Sequence, residues 1–116
     1  MTMHFIPLKY AVARQPFTEI NLCGWIGQAM PGDVLEYHRG FLAHDVSPQS
    51  KHRSDDERGE LLRIARRAWW ASEKGLVHLV QRRHRDGDYS YLVVARPKPK
   101  PASTASSSSE LFMEAA

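Results

Sequence analysis

The chain has 116 residues and a mass of 13.2 kDa, room for one small domain, which excludes a multi-domain enzyme. Hydrophobic residues make up 42% and charged residues 25%, a globular composition, and no run approaches the ~20 apolar residues of a membrane span. The net charge is a mild +3, and a single cysteine, Cys23, excludes an internal disulfide and a cysteine-built metal site. The N-terminus has no basic leader before a long apolar run, so a reduced, soluble, cytoplasmic protein is expected.

Pro7 and Pro16 punctuate the first segment, and residues 3–13 predict an extended arm or short strand. A first helix is expected from Pro16 to about Met30, with Pro16 near its first turn. Gly24 and Gly27 each weaken it by ~1 kcal/mol relative to Ala. Pro31-Gly32-Asp33 ends it as a turn. Residues 34–45 read VLEYHRGFLAHD, with Leu35, Tyr37, Phe41 and Ala43 on one parity, and predict a half-buried strand. Gly40 marks a bulge or bend in it. Residues 47–53 are a polar loop.

Ser54-Asp55-Asp56-Glu57 fits a capping box, and its three acids complement the helix dipole. The helix it opens runs to Lys74, and Gly75 is the expected left-handed terminator. On a helical wheel Leu61, Ile64, Ala65, Ala68 and Ser72 form one stripe, flanked by Leu62 and Trp69. Arg63, Arg66, Arg67, Trp70 and Lys74 lie opposite. Trp69 is therefore expected in the core and Trp70 on the surface.

Residues 76–83 and 89–96 predict two strands joined at Asp86-Gly87, a type I′ turn. A regular two-residue loop pairs Arg85 with Asp88, Arg82 with Tyr91, Val80 with Val93 and Leu79 with Val94. The base of this hairpin is apolar on both faces and its tip carries Arg82, Arg83, His84 and Arg85. From residue 97 the chain reads as a flexible Pro/Lys/Ser-rich tail, ending in the acidic–apolar Glu110-Leu111-Phe112-Met113-Glu114. The expected organisation is a single α+β domain over residues 1–96 and a disordered tail over 97–116. Its tip is either an unstructured end or a short motif for a partner's groove.

Residues 51–85 hold ten Lys or Arg against five acids, so the positive charge concentrates in the helix and hairpin. Eleven of the sixteen basic residues are Arg, which suits bidentate phosphate or carboxylate recognition. The order of a helix, Lys74-Gly75-Leu76-Val77 and a hairpin with a basic tip resembles the C-terminal half of winged-helix DNA-binding domains, over residues 55–96. The resemblance implies that Arg63, Arg66, Arg67 and Trp70 occupy the groove-facing helix and that Arg83 and Arg85 sit on the wing. Where that family carries a second helix, residues 46–54 here read as a polar loop. One long helix packed on a three-stranded antiparallel sheet fits the pattern equally.

No Gly-rich phosphate loop, HExxH motif or paired-cysteine spacing is present. The six histidines are scattered, and Tyr37, His38 and Arg39 face alternate sides of a regular strand. The chain is therefore expected to be no enzyme, with neither metal nor cofactor. Two functions compete. One is a small nucleic-acid-binding regulator, DNA being the expected partner, with Arg63, Arg66, Arg67, Trp70, Lys74, Arg83 and Arg85 as its surface. The other is a protein-interaction module, an adaptor or an inhibitor of a nucleic-acid enzyme, resting on Trp70, Trp25, Tyr89, Tyr91 and the tail and facing an acidic protein surface. A homodimer through the sheet edge or the Trp face is compatible with both. A continuous basic surface over helix and hairpin favours nucleic acid, and one interrupted by acids favours the adaptor.

Overall fold

A computed structural model of the chain describes residues 9–98. The expectations for the start of the N-terminal arm and for the tail beyond Lys98 lie outside the described residues. The elements are β1 (Tyr10–Val12), α1 (Glu19–Gln28), β2 (Val34–Gly40), α2 (Leu42–Asp45), α3 (Asp55–Glu73), β3 (Val77–Arg85) and β4 (Asp88–Ala95). The strands form one sheet in the order β1-β2-β4-β3. β1 runs parallel to β2, and the other pairings are antiparallel. The α+β class is as expected, but the sheet has four strands rather than three and is mixed. Among the described residues no helix is long and apolar enough to cross a membrane.

The core lies between α1, α3 and one face of the sheet. Leu22 and Ile26 of α1 meet Ile64, Ala68 and Ala71 of α3 over Leu35, Val77 and Val93 of the strands. α1 starts later than expected, because Thr18 rather than Pro16 opens it. The Thr18 hydroxyl accepts from the Asn21 amide at 3.2 Å, and Asn21 Oδ1 accepts from the Thr18 amide at 2.9 Å. α3 begins and ends as its residues dictate. Ser54 and Glu57 form the reciprocal cap, and Gly75 takes φ +74°.

The expected core position of Trp69 is overturned: Trp69 is 60% exposed and Trp70 43%. The buried stripe is Leu61, Ile64, Ala68 and Ala71, rotated from the expected one by roughly half a residue step. α1 packs on one flank of α3 and draws Ala71 inward in place of Ser72. Both tryptophans then straddle the outward direction, and the small Ala68 and Ala71 are sealed at the interface.

Two bulges alter the strands. In β2 the register slips between Glu36 and His38, so Tyr37 and His38 are both buried against Tyr91, with ring centroids at 6.3 and 5.8 Å. They do not face opposite sides as a regular strand requires. In the hairpin Arg85 pairs with Asp88 as expected, but the register slips between Arg83 and Arg85. Val80 therefore faces Leu92, Arg82 faces Ser90 and Leu79 faces Val93, each one residue from the expected partner.

The expected strand over 34–45 also stops short, at Gly40. Asp45 turns back in α2, where its carboxylate accepts from the Phe41 amide at 3.1 Å and pairs with His38 Nε2 at 2.7 Å. Gly40 takes φ +137°, and a Cβ there would lie 2.6 Å from Asp45 Oδ2. Only glycine lets the strand end with a carboxylate in that space.

Candidate functional site

Acidic partners interrupt the basic residues. On α3, Arg63 donates to Glu60 at 2.7 Å, and Arg67 donates to Glu19 of α1 at 2.9 Å while its guanidinium lies 4.9 Å from the Trp70 ring centroid. At the hairpin tip Arg83 pairs with Asp86, and Arg85 lies 3.6 Å from Asp88. Asp88 also receives two hydrogen bonds from Arg39, at 2.7 and 3.0 Å. Arg66 and Lys74 are exposed and make no ion pair among the described residues. α3 feeds β3 through Gly75, so Lys74 lies at the start of β3 and the basic tip at its far end.

A different surface is apolar. A groove of about 420 Å³ runs between α2 and α3, lined by Phe41, Leu42 and Val46 on one side and Leu62 and Ala65 on the other, with Gln81 and Tyr91 beneath. Trp69 follows Ala65 along the same flank of α3. The groove borders β3, an edge strand paired among the described residues with β4 alone. Leu79 shares the helix-side face with its register partner Val93, and Val80 lies on the other face beside Leu92. Both are more than a third exposed. Sequence reasoning placed Trp69 in the core and assigned no binding role to Phe41 or Leu79. The legible signal was Leu79-Val80, apolar on both parities of one strand.

The third feature is a cleft of about 970 Å³ at the end of β1, between the start of α1 and the first half of α3. Tyr37 and His38 line it. The His38 imidazole is held by Asp45, which also has Arg53 at 3.6 Å. Burial pushes the His38 imidazolium below its ordinary value, and the hydrogen bond to Asp45 opposes this without cancelling it. Burial alone would raise Asp45, but the His38 hydrogen bond and the charges of His38 and Arg53 hold it below the usual carboxylate value. Burial and the neighbouring Tyr91 push the Tyr37 phenol up to about 12. His44, within the strand expected over residues 34–45, sits in α2 instead. No group of three His, Cys, Asp or Glu able to hold a metal ion is found among the described residues.

Neither a family model, a curated protein nor a solved structure matches this chain.

Proposed function

We propose that the domain is a non-enzymatic protein-interaction module that takes an extended segment of a partner along the free edge of β3. The observation that carries this reading is the state of that edge. Sheets protect their edges with charges, and Arg82, Arg83 and Arg85 do so for the tip half of β3. The half from Val77 to Gln81 has no such guard, and it exposes Leu79 and Val80 on opposite faces. An added strand would pair with the edge backbone and cover both side chains. Trp69 and the α2–α3 groove would take the partner's side chains on the helix side, as a rigid aromatic anchor beside apolar space. Arg66 and the guanidiniums of β3 border this surface, which favours a partner segment flanked by acids.

Selection of short peptides from a random display library on the full chain tests the reading. The expected winners alternate apolar residues and carry Asp or Glu at their ends. Leu79→Lys and Trp69→Ala should each weaken their binding at least tenfold. Winners that ignore both substitutions would overturn the reading.

A nucleic-acid-binding, winged-helix-like regulator is the second reading, favoured by the chain order. The run α1–β2–α2–α3–β3–β4, with strand order β2-β4-β3, is similar in order to that family, with the short α2 just ahead of the loop at 46–54. What weighs against it is the acid paired to Arg63, Arg67, Arg83 and Arg85. Titration of duplex and single-stranded DNA at several salt concentrations separates the two. A nucleic-acid binder should lose up to ~2 units of salt slope when Arg63 and Arg67 are both replaced by Ala.

A further inference from the structure

The cleft at the end of β1 is remote from the β3 edge and independent of its reading. β1 covers β2 only as far as Glu36, where the Ala13 amide donates to the Glu36 carbonyl at 2.9 Å. Beyond that point β2 continues through Tyr37, His38 and Arg39 paired with β4 on one side and with no described strand on the β1 side, where the cleft occupies the space. The bulge then sets two neighbouring polar side chains at one wall. Both are deeply buried, Tyr37 at 6% and His38 at 9% exposure.

Their hydrogen-bonding state is unusual for such burial. His38 spends Nε2 on Asp45, which leaves Nδ1 free. Neither that nitrogen nor Tyr37 Oη has a hydrogen-bond partner among the described residues. Yet neither belongs to the sealed-off orphan atoms, which are Trp25 Nε1, Asp33 Oδ1 and Ser50 Oγ. Both atoms therefore reach open space, and the space their residues line is the cleft. A neutral His38 that donates Nε2–H to Asp45 carries its lone pair on Nδ1, an acceptor. A phenol with its pKa raised keeps its proton and donates. The wall thus presents one donor and one acceptor from adjacent residues.

Charge and shape narrow the ligand further. Phe17, Leu61 and Ile64 supply an apolar flank. The rim carries Glu36, Asp56, Glu57 and Glu60. Its guanidiniums are already engaged: Arg39 by Asp88, Arg63 by Glu60, and Arg53 beside Asp45. Among the described lining residues no unpaired guanidinium is left to meet a carboxylate or phosphate, so an anion is disfavoured. We propose that the cleft binds a small uncharged molecule with a flat apolar body and an amide edge, its N–H received by His38 Nδ1 and its C=O by Tyr37 Oη. A ring lactam, as in a pyrimidine nucleoside, and a primary carboxamide on an aromatic ring share this chemistry.

The test is a titration of the nitrogen-15-labelled full chain with uridine and, separately, with nicotinamide. At least one should bind at millimolar concentration or below and shift the His38 Nδ1 resonance, and the responding probe identifies the ring-lactam or carboxamide source. Tyr37→Phe keeps the ring and removes only the hydroxyl, and should weaken binding about tenfold. Uridine 5′-monophosphate and nicotinic acid, which add or substitute a negative charge, should bind more weakly than their neutral counterparts. Failure of both neutral probes to move His38 would overturn the proposal. So would unchanged affinity in Tyr37→Phe, or an anion that binds as tightly as its neutral counterpart.

Discussion

At the scale of single residues, the junction of β2 and α2 is held by a few atoms with no slack. A Cβ on Gly40 would meet the Asp45 carboxylate at 2.6 Å in a backbone region where side chains are strained. Gly40→Ala should therefore cost at least ~2 kcal/mol in urea denaturation, through strain and displacement of Asp45 from His38. The same junction sets a pH dependence. His38 has its folded pKa below the ordinary 6.5, so on acidification the unfolded chain takes up this proton before the folded one. Its stability contribution is present above pH 6.5 and is lost as pH falls from there through the folded value. Asp45, likewise depressed, loses its contribution at lower pH, from its ordinary 3.8 downward. The urea midpoint should fall below pH 6.5, and His38→Gln should flatten that first decline. Trp69 illustrates the opposite case. At 60% exposure, Trp69→Ala should cost less than ~1 kcal/mol, whereas Ala68→Leu, at a sealed helix–sheet contact, should cost ~1–3 kcal/mol or more.

At the scale of elements, α3 stands on its reciprocal cap, and Ser54→Ala should lower stability by ~1 kcal/mol by chemical denaturation. That helix was legible in the sequence because its start and stop are local chemistry, Ser54 with Glu57 and then Gly75. The hairpin was legible for the same reason, through Asp86-Gly87. What local chemistry did not reveal depends on contacts distant in sequence or on an extra residue in a ladder. The phase of α3 follows from α1 packing on one of its flanks, so the wheel by itself placed Trp69 inward. The two bulges each moved side chains by one register step, which re-paired Val80 and brought Tyr37 and His38 together. The end of β2 is decided by Asp45 reaching back seven residues to His38, and parity over 34–45 carries no trace of that. The basic residues of the site were legible as types, but their acidic partners were not. Glu19 meets Arg67 across 48 positions, and Arg39 meets Asp88 across 49.

At the scale of the whole molecule, two helices cover one sheet face among the described residues, and one sheet edge is left half guarded there. Truncation after Arg96 should leave the thermal midpoint within a few degrees, since the described core cluster runs from Leu22 to Val93 and the composition of the Pro/Lys/Ser-rich segment suits no core. A collapse of the midpoint would mean that residues beyond 96 contribute to that core. The central claim is that the working surface is the free edge of β3 rather than the arginine face of α3. Amide hydrogen exchange on the full chain, with and without a peptide selected to bind it, tests this most directly. Protection on binding should appear at the outward-facing amides between Val77 and Gln81, and Leu79→Lys should abolish it. Unchanged exchange along β3 in the complex, with protection confined to other elements, would contradict the account.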